Sequence, residues 1–284
     1  MKIALYCTGY CMQREALSLQ GSSWRSVPFP ALFALIEHPE HGLILFDTGY
    51  SERFASATDS FPYRLYRWTT PVVTAGYGSA AELLEAKGYR PSDVRMIVVS
   101  HFHADHICGL SDFPNAQFVC SRKAYLSVKG LTGFAAVKRA YLPGLLPPDF
   151  EERACWTEEL KQVDISGAFM PLRRAFDVLG DGSLLVVDLP GHASHQIGLL
   201  VKSPSGEADV LLGADASWSM QAVRENRPPH PLAYLVIDEA KPFKETFRML
   251  VALHRSNPEL RMLFTHCHKA WQQSVDFKMP PPAR

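Results

Sequence analysis

Residues 98–110 read VVSHFHADHICGL and bring His101, His103, Asp105 and His106 into six consecutive positions directly behind an apolar run. On an extended strand end, side chains two apart point the same way, so His101 and His103 can share one metal ion. Asp105 and His106 then fall in a turn and can face a second ion. A solvated loop would also tolerate these residues. Imidazoles crowded beside a carboxylate behind a buried strand, however, repel one another when charged, and a cation that coordinates them as neutral ligands removes the conflict. The cluster is therefore read as two incomplete metal sites.

Two coordination spheres need further ligands, which the reading expects at other strand ends. LPGHASHQIG (189–198) offers His192 after a strand and a Pro-Gly turn, LLGADAS (211–217) offers Asp215, and MLFTHCH (262–268) offers His266. His195 is expected to have a structural hydrogen-bonding role, and His268 to be a satisfied neighbour of the site. His254 is expected on a helix face.

The elements that must carry these residues can be read from the hydrophobic pattern. Residues 30–49, PALFALIEHPEHGLILFDTG, predict a hairpin around HPEHG, with His38 and His41 solvated in the turn. SAAELLEAKGY predicts a helix capped by Ser79 and ended by Gly88, and RMIVVS predicts a buried strand that delivers the cluster. A strand leading into a helix is expected over 117–125. Short strands are expected at 184–188, 197–201 and 210–212, an amphipathic helix over 244–255, and a last strand at RMLFTH. Segments 51–78 and 130–160 read as irregular, the second broken by Pro143, Pro147 and Pro148. Their Phe61, Tyr66, Trp68, Phe134, Tyr141 and Leu142 are candidates either for an apolar pocket above the metals or for the contact of a homodimer. Strands and helices mix without a composition break, so residues 1–284 read as one layered domain.

Composition narrows the function further. The 284 residues are 47% hydrophobic and 20% charged, as suits a folded protein with a large core. Lys plus Arg and Asp plus Glu both total 29, so there is no basic excess for a nucleic-acid backbone, and a small-molecule substrate is expected. No apolar run approaches the roughly 20 residues that cross a bilayer, so no membrane partner is expected. MKIALYCTGYC reads as a first strand, not a signal peptide. The six cysteines, Cys7 and Cys11 among them, are scattered and read as reduced thiols of a cytoplasmic protein.

Together these motifs resemble the metallo-β-lactamase superfamily of metal-dependent hydrolases, whose HxHxDH signature stands here as HFHADH, in order with FDTG at 46–49, PGH at 190–192, Asp215 and His266. The resemblance implies an α+β fold, a four-layer αββα sandwich with the metals at one edge. It implies two divalent ions, zinc first, with iron or manganese as alternatives. His101, His103 and His192 would hold one ion, Asp105, His106 and His266 the other, and Asp215 would bridge them. Asp47 would lie beneath the site and orient a ligand histidine, with Gly49 permitting the turn after it.

A metal-bridging hydroxide is then the expected nucleophile, with Asp105 passing a proton to the leaving group. A bridging aspartate is similar to the glyoxalase II, quorum-quenching lactonase and RNase Z branches rather than the antibiotic-cleaving lactamases. The pattern GADASW is similar to the lactonases, in which a tyrosine commonly stands where this chain has Trp218, a residue that donates one N–H or packs an acyl chain. The expectation is a hydrolase of a small ester-like bond, a lactone first. Alternatives are a glyoxalase II-like thioesterase, a phosphodiesterase, a β-lactamase-like activity, and a mononuclear iron persulfide dioxygenase sharing the first three histidines.

Overall fold

The computed structural model describes residues 1–167, 169–203 and 208–275. One sheet contains β1 (Lys2–Arg14), β2 (Ser26–His38), β3 (Gly42–Phe46), β4 (Val72–Val73), β5 (Val94–Val98), β6 (Gln117–Cys120) and β7 (Ala154–Trp156), in the order β4-β1-β2-β3-β5-β6-β7. The other contains β8 (Lys161–Asp164), β9 (Arg174–Asp177), β10 (Leu184–Asp188), β11 (Ile197–Val201), β12 (Val210–Leu212) and β13 (Arg261–Leu263), in the order β13-β12-β11-β10-β9-β8. Both sheets are mixed. β3, β5, β6 and β7 run parallel, β12 pairs parallel with β13, and the other pairings are antiparallel.

Side-chain alternation converts these strands into layers. Ala34, Ile36, Ile44 and Phe46 of the first sheet meet Leu184, Val186, Leu199 and Leu212 of the second, forming an apolar layer between the sheets. The intervening residues point outward. Phe33, Leu35 and Leu45 join Leu84, Ile107 and Tyr125 on one outer face, while Leu185, Leu200 and Leu211 join Phe247, Leu250 and Trp271 on the other. Three apolar layers therefore separate helix, sheet, sheet and helix, which is the expected αββα sandwich. Burying each such Leu, Ile or Phe contributes about 1.5–3 kcal/mol, so the outward alternation is what obliges helices to cover both faces.

Most expected elements are present. The helix Ala80–Glu85 starts from a capping box between Ser79 and Glu82, and Gly88 follows its end with φ +87°. The long helix spans Ala240–Ser256, four residues earlier than the 244 start expected, because Pro242 falls in its first turn, where no N–H partner is required.

Other expectations are corrected. Segment 51–78 is not irregular throughout: it folds into helices Arg53–Ala57 and Arg64–Thr69 and the edge strand β4. Segment 130–160 contains the helix Gly133–Lys138 and the edge strand β7. His38 is buried, not solvated. Its Nε2 lies 3.1 Å from Ser183 Oγ, and its Nδ1 accepts the backbone N–H groups of Glu40 and His41. Among the described residues, no helix is long and apolar enough to cross a membrane.

Candidate metal centre

The parallel pairings bring the candidate ligands to one edge of the sandwich. β3 and β5 end side by side, which sets Asp47 next to Ser100 and His101. β12 and β13 also end side by side, which sets Asp215 near His266. His192 follows β10 on the turn Pro190–Gly191, and the N–H of Ile197 donates to Ser100 O at 3.0 Å, tying the two sheets together beside the cluster. Gly191 permits a close approach: at φ +129°, a Cβ there would lie 2.1 Å from the backbone nitrogen of Phe243.

All seven candidate ligands converge. The rings of His101 and His103 are 4.4 Å apart, His101 and His106 4.0 Å, and His103 and His192 4.8 Å. His266 Nε2 lies 2.9 Å from Asp215 Oδ2 and 3.4 Å from Asp105 Oδ2; His192 Nε2 lies 3.2 Å from Asp215 Oδ2. His106 Nε2 is 3.6 Å from both Asp105 and Asp215. Three sets could each hold a cation: His101, His103 and His192; Asp105, His106 and His266; and His101, His106 and Asp215.

Outer hydrogen bonds fix which nitrogen faces inward. His106 Nδ1–H donates to Asp47 Oδ2 at 2.7 Å, and His266 Nδ1–H donates to the carbonyl of Pro30 at 2.7 Å. Asp47 also accepts the Ser100 N–H and hydroxyl, each at 2.8 Å, so Ser100 Oγ is free to accept from His101 Nδ1–H at 2.9 Å. One fully buried carboxylate thus orients two imidazoles, one directly and one through a serine. Asp47 holds φ +60° for this, and Gly49 holds φ +65°, where a Cβ would sit 2.1 Å from Thr8 Oγ1.

The donor set suits cations. His101 Nε2, His106 Nε2 and Asp215 Oδ1 are buried without a hydrogen-bond partner, an expensive arrangement for three polar atoms sharing one space. Taken alone, the side chains are in electrostatic conflict. Burial, then the neighbouring imidazoles, pushes His101 well below the ordinary histidine value. Burial takes His192 down to about 3 against the opposing pull of Asp215. Burial also disfavours a charged His106, yet Asp105, Asp47 and Asp215 raise it to about 10. Asp215 is held below the usual carboxylate range because His266, His192 and His106 outweigh its burial. Divalent cations would let every imidazole be neutral and every carboxylate ionised.

His103, Asp105, His192, Asp215 and His266 line a cleft of about 310 Å³, in the size range of small-molecule sites, with His101 and His106 buried behind them. Trp218 forms part of its wall, edge-on to His192 with ring centres 5.6 Å apart. Of the six aromatic and aliphatic pocket candidates, only Tyr66 lines this cleft. Tyr141 and Leu142 are buried in the core, Phe61 and Phe134 meet edge to face at the surface, and Trp68 is exposed. His195 is exposed at φ +56° and makes no ring hydrogen bond among the described residues, contrary to the structural bonding expected of it. His268 is exposed against Trp271.

Several site residues escape the sequence reading. Ser100 and the Pro30 carbonyl orient histidines, while Cys11 and Tyr50 line the cleft. Burial, with Asp105 close by, raises Tyr50 and Tyr66 well above the ordinary phenol value, so both remain protonated donors. Ser100 had one available signal, its place between the apolar strand and His101. Pro30 had none, because its backbone oxygen does the work.

Comparison with known proteins points in one direction. The model of the family described as the metallo-beta-lactamase superfamily matches residues 27–256. The N-acyl homoserine lactonase AttM of Agrobacterium fabrum is 30% identical over 207 residues, 73% of this chain and 72% of that protein. A probable metallo-hydrolase of Mycobacterium tuberculosis is 27% identical over 253 residues, 85% of this chain and 76% of the other. Among solved structures, AidC, described as a dizinc quorum-quenching lactonase, superposes with a TM-score of 0.64 at 14% identity, covering 99% of this chain and 92% of its own.

Proposed function

This chain belongs to the metallo-beta-lactamase superfamily, and from that membership we propose that the cleft is the active centre of a two-metal hydrolase acting on a small ester-like bond, a lactone first. The observation that carries the reading is the convergence of seven imidazole and carboxylate groups, four of their buried polar atoms unpartnered, five of the groups lining a cleft of about 310 Å³. His101, His103 and His192 would hold one ion, Asp105, His106 and His266 the second, and Asp215 would contact both. When bound, two divalent cations supply Lewis acidity that makes hydroxide available near neutral pH and polarises a carbonyl. Nitrogen and oxygen donors suit zinc, and a lactonase superposing on this fold is described as dizinc.

The chain's own residues supply the rest. Asp105 sits at the cleft floor, 3.4 Å from His266 Nε2, and would hand a proton to the departing alkoxide. Leu17, Phe29, Trp218, Leu232 and Val236 give one side of the cleft an apolar wall suited to an acyl chain. Tyr50 and Tyr66 keep their protons and offer O–H donors to a substrate carbonyl. The lactonase names among the relatives support this substrate class over thioesters, phosphodiesters and β-lactams.

The test is a hydrolysis screen of the zinc-reconstituted protein against acyl lactones, thioesters, phosphodiesters and β-lactams. Acyl lactones are expected to be opened fastest. A phosphodiester or thioester cleaved in their place would overturn the substrate assignment, and the absence of any hydrolysis would overturn the reading.

A further inference from the structure

Three of the five clustered imidazoles have an outer nitrogen fixed by protein: His101 by Ser100, His106 by Asp47 and His266 by the Pro30 carbonyl. His103 differs. His103 Nδ1 lies 3.1 Å from His192 Nε2, on the side where the ligand atoms gather, and His103 Nε2 makes no hydrogen bond among the described residues. His103 does border a small cavity of about 10 Å³, shared with Arg139, Ser194 and Asp238, at the lower limit of space for one water.

Asp238 is held with unusual care. Arg139 Nη1 donates to its Oδ2 at 2.5 Å and to Ser194 Oγ at 3.1 Å, and the Ser194 N–H donates to the same carboxylate at 3.1 Å. The Asp238 N–H in turn donates to the carbonyl of His192 at 3.2 Å, so its backbone and side chain grip both ends of the turn His192–Ser194. The carboxylate is largely buried, its side chain 12% exposed. Burying a carboxylate beside a guanidinium brings little net stability, since desolvation consumes much of the attraction. A surface pair would have held the segments together equally well. What burial adds is a fixed negative acceptor across the cavity from His103.

We propose that Asp238, locked by Arg139 and the Ser194 N–H, is a positioning residue for His103, receiving its Nε2–H through a water in the shared cavity and so presenting Nδ1 to the metal. The inference rests on the proposed two-metal reading. It gives His103 the outer acceptor that its three neighbours already possess, and it locates that acceptor on the segment following the cleft residues Leu232, Ala233 and Val236. The pair of Asp238 with Arg139 also joins this segment to the one bearing Ala140 on the cleft wall, so the clamp couples wall position to ligand orientation.

The experiment compares the wild-type chain with Asp238→Ala, each stripped of metal and titrated with zinc against a competing chelator, with the side-chain nitrogens of His103 followed by NMR in the loaded state. The wild type should take two zinc ions, with His103 bound through Nδ1 and its Nε2–H protected from exchange. In Asp238→Ala, affinity for one ion should fall about 10–100-fold while the other is kept, and the Nε2–H should exchange freely. Equal affinities and equal protection in the two proteins would overturn the proposal while leaving the two-metal reading intact. A wild type that binds no zinc would overturn that reading itself. Should Asp238→Ala fail to fold, Asp238→Asn carries the test, because it keeps a neutral acceptor of about half the strength and should give an intermediate loss of protection; wild-type protection in that variant would count against the proposal.

Discussion

Replacing Asp47 with asparagine isolates the outer hydrogen bond of one imidazole of the proposed metal centre. The side chain keeps its shape, and Oδ1 can still accept the Ser100 N–H that lies 2.8 Å away in the native chain. The Ser100 hydroxyl can rotate to accept from the new amide. His106 has no such remedy: its Nδ1–H, now 2.7 Å from a carboxylate oxygen, would face an N–H donor. The ring then escapes by moving its proton to Nε2, the nitrogen that faces Asp105 and Asp215. One charge-assisted hydrogen bond at a fully buried site is lost, about 1.5–3 kcal/mol. Since 1.4 kcal/mol is tenfold, affinity for the ion that Asp105, His106 and His266 would hold should fall about 10–150-fold. Zinc titration against a chelator measures this, with circular dichroism to show that the fold persists. Wild-type affinity for both ions would refute the reasoning, because His106 would then need no outer acceptor to present Nε2.

Other outcomes follow from single contacts. Gly49→Ala places a Cβ 2.1 Å from Thr8 Oγ1 at φ +65° and disturbs the 2.6 Å bond from the Tyr50 N–H to that oxygen, so the urea midpoint should drop by an amount worth about 2–4 kcal/mol; an unchanged midpoint would contradict the crowding. Trp218→Ala should raise KM for long-chain acyl lactones about 5–30-fold, with metal content and kcat kept, as expected from losing about 1–2 kcal/mol of apolar contact. A loss in kcat alone would instead assign Trp218 to the chemistry. Burial, then His41, holds His38 below the ordinary histidine value. The unfolded chain therefore binds more protons in the window from pH about 6.5 down to the folded value, and His38 costs stability progressively as pH falls through that window. Relative to His38→Gln, the wild type should lose unfolding free energy on acidification, and parallel pH profiles would show that the buried ring does not titrate as described.

Much of the centre is legible because metal chemistry concentrates at strand ends. Short apolar runs mark the strands, and HFHADH, PGH, Asp215 and His266 lie just beyond them, where parallel pairing brings them together. Residues acting through the backbone or through another residue are not legible. The Pro30 carbonyl has no side-chain signature, and Ser100 matters only because Asp47 leaves its oxygen free to accept. The same limit hides the edge strands. Lys161–Asp164 is mostly exposed and carries no alternating apolar face, so only pairing with β9 defines it as a strand. His38 was misplaced because a turn flanked by Pro39 and Gly42 looks solvated in sequence, whereas the hairpin's end packs against the loop carrying Ser183.

The most direct test of the two-metal hydrolase is a zinc titration of the metal-stripped chain while the opening of an N-acyl homoserine lactone is followed. The rate should rise to a plateau at two zinc ions per chain, with little turnover before the second site fills. A plateau at a single ion, or an iron-dependent activity on persulfides with no lactone opened, would contradict the account.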